Sequence, residues 1–168
     1  MSFKKSTVSA RLHILIFVRG VVSNLLSQEE ADKLLLVDKF CIDDRKHIYP
    51  GLGESLKILL KSDGTFGDFT LDITRGRIAL KKNTFQLRTQ GTIILARIDI
   101  GGPPHRNPDD EEIPCPHLHL YREGYDDKWA KAIPQGFSES ERPHHMLEGF
   151  MKLCNIKKKP HIQMDLFA

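Results

Sequence analysis

The chain has 168 residues, 40% apolar and 28% charged, with a formal net charge of +3. That length suits one domain whose core needs no disulfides, and so small a charge names no partner by itself. Cys41, Cys115 and Cys154 form an odd, widely spaced set without a CxxC pair, which excludes a disulfide scaffold and points to a reducing, cytoplasmic setting.

In chain order, Lys4, Lys5 and Arg11 precede the apolar run from Leu12 to Val18, which contains His13 and stops at Arg19. The run is too short to span a bilayer, and no small-residue cleavage site follows it; no membrane partner is expected. Residues 1–25 read as an N-terminal extension or an extra short element, 26–160 as a single domain, and 161–168 as a C-terminal tail. Ser27-Gln28-Glu29-Glu30 is a capping box. With Ala31, Leu34 and Leu35 at helical spacing it predicts a helix from Gln28 to Lys39. Residues 41–53 read as a connection punctuated by Pro50-Gly51.

The period then changes to two. Residues 55–61 are strand-like, and Phe69, Leu71 and Ile73 alternate with Thr70, Asp72 and Thr74. Residues 77–82, 84–89 and 92–100 read as three more strands, and the short turns between them imply antiparallel neighbours. Gly101-Gly102-Pro103-Pro104 breaks the pattern, a loop runs through Asn107-Pro108-Asp109-Asp110, and residues 113–122 return as a strand. Pro143 suits the first turn of a helix with Met146, Leu147, Phe150, Met151 and Cys154 as its apolar stripe. Lys157-Lys158-Lys159-Pro160 reads as a solvated segment. The order of helix, strands and helix predicts an α+β fold: an antiparallel β-sheet or small partly open barrel flanked by two main helices.

The densest chemical signal lies between His105 and Tyr121. In a strand, Leu118 and Leu120 would face the core, and Cys115, His117, His119 and Tyr121 the opposite side. His105, at the far end of the preceding loop, can fold back over that side. Three readings stay open. His105, His117 and His119 can act as base and acid on a phosphodiester without a cofactor, with Lys128 or Arg122 stabilising the developing charge. The same histidines can ligate a divalent metal, completed by Cys115 or a carboxylate. Or they are ordinary polar residues of an edge strand, which Pro114 and Pro116 would suit.

A second signal is electrostatic. Arg75, Arg77, Lys81, Lys82, Arg88 and Arg97 follow one another with no Asp or Glu between them. Arg77 and Lys81 would share a strand face away from Ile78 and Leu80, as a surface for RNA or DNA requires. The alternative is a solvated face balanced by the acidic stretch 109–127.

A third signal is terminal. Gln163-Met164-Asp165-Leu166-Phe167 resembles the peptide that bacterial replication proteins insert into the sliding clamp, with Leu166 and Phe167 as the apolar anchors and Gln163 at the rim. Met164 stands where that peptide usually has Leu. The alternative packs Leu166 and Phe167 on this domain's own core.

Leu26-Ser27-Gln28-Glu29-Glu30-Ala31-Asp32, Asp72-Ile73-Thr74-Arg75-Gly76-Arg77-Ile78 and several strings between Gly102 and Ala130 carry a family resemblance. The latter are Gly102-Pro103-Pro104-His105, Asn107-Pro108-Asp109, Pro116-His117-Leu118-His119, Tyr121-Arg122-Glu123-Gly124-Tyr125 and Asp127-Lys128-Trp129-Ala130. On these, the stretch from Ser27 to Phe167 resembles an uncharacterised family of small bacterial and prophage-borne proteins, for which the resemblance implies no activity. Asp110 stands where the turn would prefer Gly. The leading expectation is a nucleic-acid-directed protein of a mobile element, a candidate endoribonuclease using His105, His117, His119 and Lys128. Against it stand a non-catalytic modulator of host replication or defence, docking through the C-terminal peptide, and an interaction domain using a sheet edge.

Overall fold

The computed structural model describes residues 26–64, 67–140 and 142–164; the expectations for residues 1–25, Leu166 and Phe167 fall outside them. Its elements are α1 (Gln28–Leu36), β1 (Lys39–Cys41), β2 (Lys46–Ile48), β3 (Ser55–Ser62), β4 (Asp68–Arg75), β5 (Asn83–Thr89) and β6 (Ile93–Ile100), then β7 (His105–Arg106), β8 (Glu112–Ile113), β9 (His117–Leu120), β10 (Ala130–Ala132), α2 (Pro143–Leu153), β11 (Ile156–Lys158) and β12 (His161–Gln163).

Eight strands form one open sheet in the order β10-β9-β6-β5-β4-β3-β1-β11. Every pairing in it is antiparallel except β1 with β11. Two small ribbons accompany it: β2 with β12, parallel, and β7 with β8, antiparallel. The expected α+β architecture holds, and the sheet does not close into a barrel. Among the described residues no helix is long and apolar enough to cross a membrane.

The alternation read from the sequence builds the core. Ile58, Leu60, Phe69, Leu71, Ile73, Phe85, Leu87 and Ile98 are all essentially inaccessible, and both helices add to the same apolar cluster through Ala31, Leu34, Met146, Leu147, Phe150 and Met151. At roughly 1.5–3 kcal/mol for each large apolar side chain buried, this cluster dominates stability. At α1, the Ser27 hydroxyl accepts from the Glu30 amide while the Glu30 carboxylate accepts from the Ser27 amide.

The helix stops at Leu36, three residues short of the expected end, and the reason is Lys39. Its fully buried ammonium donates to the carbonyls of Leu35 and Val37 at 2.9 Å each and of Cys154 at 3.0 Å. It thereby satisfies carbonyls that the ends of α1 and α2 leave bare.

Five expectations need correction. Residues 77–82 are a turn between β4 and β5, closed by hydrogen bonds from Gly76 N to Lys82 O (2.7 Å) and from Lys82 N to Ala79 O (2.9 Å). Ile78 is 92% exposed, so its alternation with Ala79 and Leu80 mimics a strand without burial behind it. The strand expected over 113–122 is interrupted: Pro114 and Pro116 have no amide to donate, and pairing resumes only at His117, after the cis Cys115–Pro116 peptide. The resumed strand, β9, lies between β6 and β10 and is not an edge. Finally, residues 156–158 pair with β1 while the Lys157 and Lys158 side chains stay exposed, so that segment is part of the sheet and not merely solvated. Residues 161–163, placed in the tail, likewise form β12.

Candidate functional site: a covered histidine cluster

Register puts the site on the face of the sheet opposite the core. Arg97 pairs with His119 and Asp99 with His117 across β6 and β9, while Thr84 of β5 lies opposite Asp99. Period two therefore gathers Arg97, Asp99, His117 and His119 on one face, while Leu118 and Ile98 enter the core from the other. Two loops cover the polar face. The first leaves β6 at Gly101, whose φ of +67° and close approach to the Lys81 backbone (2.3 Å to its carbonyl oxygen from an added Cβ) admit no side chain. It returns through β7 and β8. The buried Asn107 amide fixes it by donating to Ala130 O (3.0 Å) and accepting from Ala130 N (2.8 Å). Asp110 occupies the left-handed region (φ 69°) at the turn where Gly was preferred. The second loop runs from Tyr121 to Trp129.

The result is three imidazoles in contact. Ring centroids of His105 and His119 are 4.6 Å apart, of His117 and His119 5.0 Å, and of His105 and His117 5.6 Å. His117 is 3% exposed and His119 0%, with His105 half-buried at the outer side. Each ring is oriented by a backbone carbonyl: His105 Nε2 by Lys128 O at 2.8 Å, His117 Nδ1 by Pro114 O at 3.3 Å, and His119 Nδ1 by Asp127 O at 2.8 Å. A carbonyl only accepts, so each of those nitrogens carries the proton. In the neutral rings His105 Nδ1, His117 Nε2 and His119 Nε2 are left as lone pairs.

The Asp99 carboxylate faces two of these, with Oδ2 3.5 Å from His119 Nε2 and 3.7 Å from His117 Nε2. Its other oxygen accepts from the Thr84 hydroxyl at 2.6 Å. Burial opposes the Asp99 charge, but the neighbouring His119, the hydrogen bond from the Thr84 hydroxyl and the Arg97 guanidinium outweigh it, holding this carboxyl well below the usual range. For His117, burial and the neighbouring His119 outweigh Asp99 and lower its pKa. Arg97 donates through Nε to Asp99 Oδ2 (3.0 Å), pairs with Asp127, and reaches His119 Nε2 at 3.0 Å.

The structure thus brings His105, His117 and His119 together but separates them from several residues grouped with them in sequence. Tyr121 follows the end of β9 and turns to the core side, where its hydroxyl donates to Leu26 O at 2.6 Å. The Cys115 thiol bonds to backbone, accepting from Gly102 N and donating to Asp99 O. It lines a separate cavity of about 470 Å³ with Tyr49, Arg75, Lys81 and Asn83. Lys128 offers the cluster its carbonyl, while its side chain is exposed. The Arg122 guanidinium stacks over Trp129, 4.2 Å from the ring centroid.

The basic run is dispersed too. Arg88 makes a two-pronged pair with Asp72 at 2.5 and 3.0 Å, and Arg97 belongs to the cluster. Arg75 borders the cavity, and Arg77, Lys81 and Lys82 sit in the exposed turn. Of the C-terminal peptide, Gln163 ends β12 with its carbonyl accepting from Tyr49 N (2.9 Å), and Met164 packs against the core. Sequence reasoning counted Asp99 among the acidic groups near the histidines, but gave Arg97 to a basic run and Asn107 to a loop, because their roles arise from cross-strand register and loop packing.

An open, mainly antiparallel sheet with helices on its apolar side and a histidine centre roofed by loops on its polar side defines the class: an α+β domain with a buried polar centre. The chain belongs to a family of unknown function, DUF6978, whose model matches residues 26–156. The match ends at Ile156, so the C-terminal peptide lies outside it. No curated protein and no solved structure matches the chain.

Proposed function

We propose that this domain binds one divalent transition-metal ion, of the kind that favours imidazole, through His105, His117 and His119 with Asp99 beside them. One observation carries the reading: each imidazole commits one nitrogen to a backbone carbonyl, the outer-shell arrangement that fixes a ligating histidine. One ligand atom from each histidine lies within 4.8 Å of the others. Small side-chain rotations bring such a set onto one ion. Asp99 beside His117 Nε2 and His119 Nε2 would give an ion bound there its counter-charge, and that ion would take the place the Arg97 guanidinium holds against His119 Nε2 and Asp99 Oδ2. The covering loops agree, since Asp109, Asp110, Glu111, Glu112, Glu123, Asp126 and Asp127 outnumber Arg106, Arg122 and Lys128. That surplus attracts a cation and repels a polyanion. Burial of two of the histidines suits a closed centre that pins both loops to the sheet.

Calorimetric titration of the full chain with zinc tests this. His119→Gln should abolish binding at this centre, and Asp99→Asn should weaken it about 10- to 100-fold. Undiminished zinc affinity at this centre in His119→Gln would end the proposal.

Metal-free cleavage of RNA by the same histidines keeps one supporting observation, the half-exposed His105 ring against a carboxylate-paired His119. It predicts cleavage that survives a chelator and disappears in His119→Ala. Sliding-clamp docking by residues 163–167 has less support, because a free peptide would first have to release β12 from β2.

A further inference from the structure

A second constellation lies far along the sheet order from the histidine centre. Cys41 ends β1, where it pairs with Leu60 of β3, and His47 is the middle residue of β2, opposite Ile162 of β12. Asp43 stands in the turn between them. The spacing is C-x-D-x₃-H, and the turn folds the two strands so that one ligand atom from each residue lies within 4.8 Å of the others. Cys41 and His47 are buried, and Cys41 is a free thiol. Asp43 is 42% exposed at its side chain and gives the cluster a route to solvent. Its Oδ1 is 3.2 Å from His47 Nε2, while Oδ2 is held by Arg45 at 2.9 Å. The Lys158 ammonium pairs with Asp44 at 2.7 Å.

We propose that Cys41, Asp43 and His47 form a second divalent-metal site, independent of the histidine centre, with a position open to solvent on the Asp43 side. A thiolate, an imidazole and a carboxylate are the donor types that suit zinc or cobalt and disfavour magnesium and calcium. On binding, the Cys41 S–H bond breaks, the proton leaves to buffer, and the sulfur lone pair forms the bond to the ion. The site would pin the β1–β2 turn against β12, and its exposed carboxylate side sets it apart from the buried histidine centre.

Cobalt(II) separates the two sites, because only a thiolate ligand gives a near-ultraviolet sulfur-to-cobalt charge-transfer band. Titration of the full chain with cobalt(II) chloride should develop that band. It should persist in His119→Gln, which removes the other centre, and vanish in Cys41→Ser. Since Cys41 is buried, Asp43→Asn supplies the control: it keeps the fold by circular dichroism and lowers the cobalt affinity read from the band by about tenfold or more. Absence of the band in the wild type, its survival in Cys41→Ser, or unchanged affinity in Asp43→Asn each overturns the proposal. Loss of the band together with zinc binding in His119→Gln would show one coupled site in place of two.

Discussion

Two buried polar side chains hold positions that no apolar residue could fill. The Asn107 side chain ties the β7–β8 ribbon to the backbone of Ala130 through both a donor and an acceptor. Asn107→Ala leaves a buried amide and carbonyl unpaired, and should destabilise the protein by about 2–6 kcal/mol at about 1–3 per orphaned group. It should also loosen His105, so zinc affinity should fall more than in a surface variant of equal stability; thermal melts with calorimetry check both. Lys39 acts at the opposite side of the molecule. Burial pushes its ammonium down to about 8, with Cys154 and Asp38 opposing. Between that value and the ordinary 10.5, the unfolded chain holds a proton that the folded chain has lost. Stability of the wild type should therefore rise, relative to Lys39→Met, as pH climbs through this window. At neutral pH the variant should still be weaker by about 2 kcal/mol or more, because three carbonyls lose their donor. Denaturant titrations of both proteins across the window decide it; a pH-independent difference would contradict the assignment.

At the scale of elements, signals confined to a few neighbouring residues were legible and those made by distant partners were not. The capping box located the start of α1 correctly, and Ser27→Ala should cost about 1 kcal/mol in melting experiments. Strands β3 to β6 were legible because one face of each is apolar. The turn at 77–82 was misread because Ile78 and Leu80 supply the same alternation with no burial behind it; Ile78→Ser should change stability by less than about 0.5 kcal/mol, whereas a strand residue would not be so tolerant. The His117–His119 pair was visible as a motif and Leu118 as core, yet the burial of the pair was not. What covers a sheet face depends on loops whose path is set by Asn107 and Gly101, and no period in the sequence encodes it. Likewise the run from Arg75 to Arg97 looked uncompensated because its acids lie outside it: Asp72 on the neighbouring strand, Asp127 in a distant loop, and Asp99 just past Arg97 on β6 itself.

For the whole molecule, a metal bound to the folded state alone stabilises by mass action, by about 2.7 kcal/mol at a hundredfold excess over its dissociation constant. Melting the protein with zinc and then with a chelator should therefore separate the two curves by several degrees, and the gap should shrink in His119→Gln. The sheet order has a temporal consequence as well. β1 is made near the start of the described chain, but one of its two neighbours, β11, is made near the end. A nascent chain halted before Ile156 holds β1 against β3 alone, with a bare row of amides and carbonyls along its other side. Completion of the sheet must wait until the chain has been made past Lys158, and throughout that interval the half-finished edge is available to any extended strand nearby.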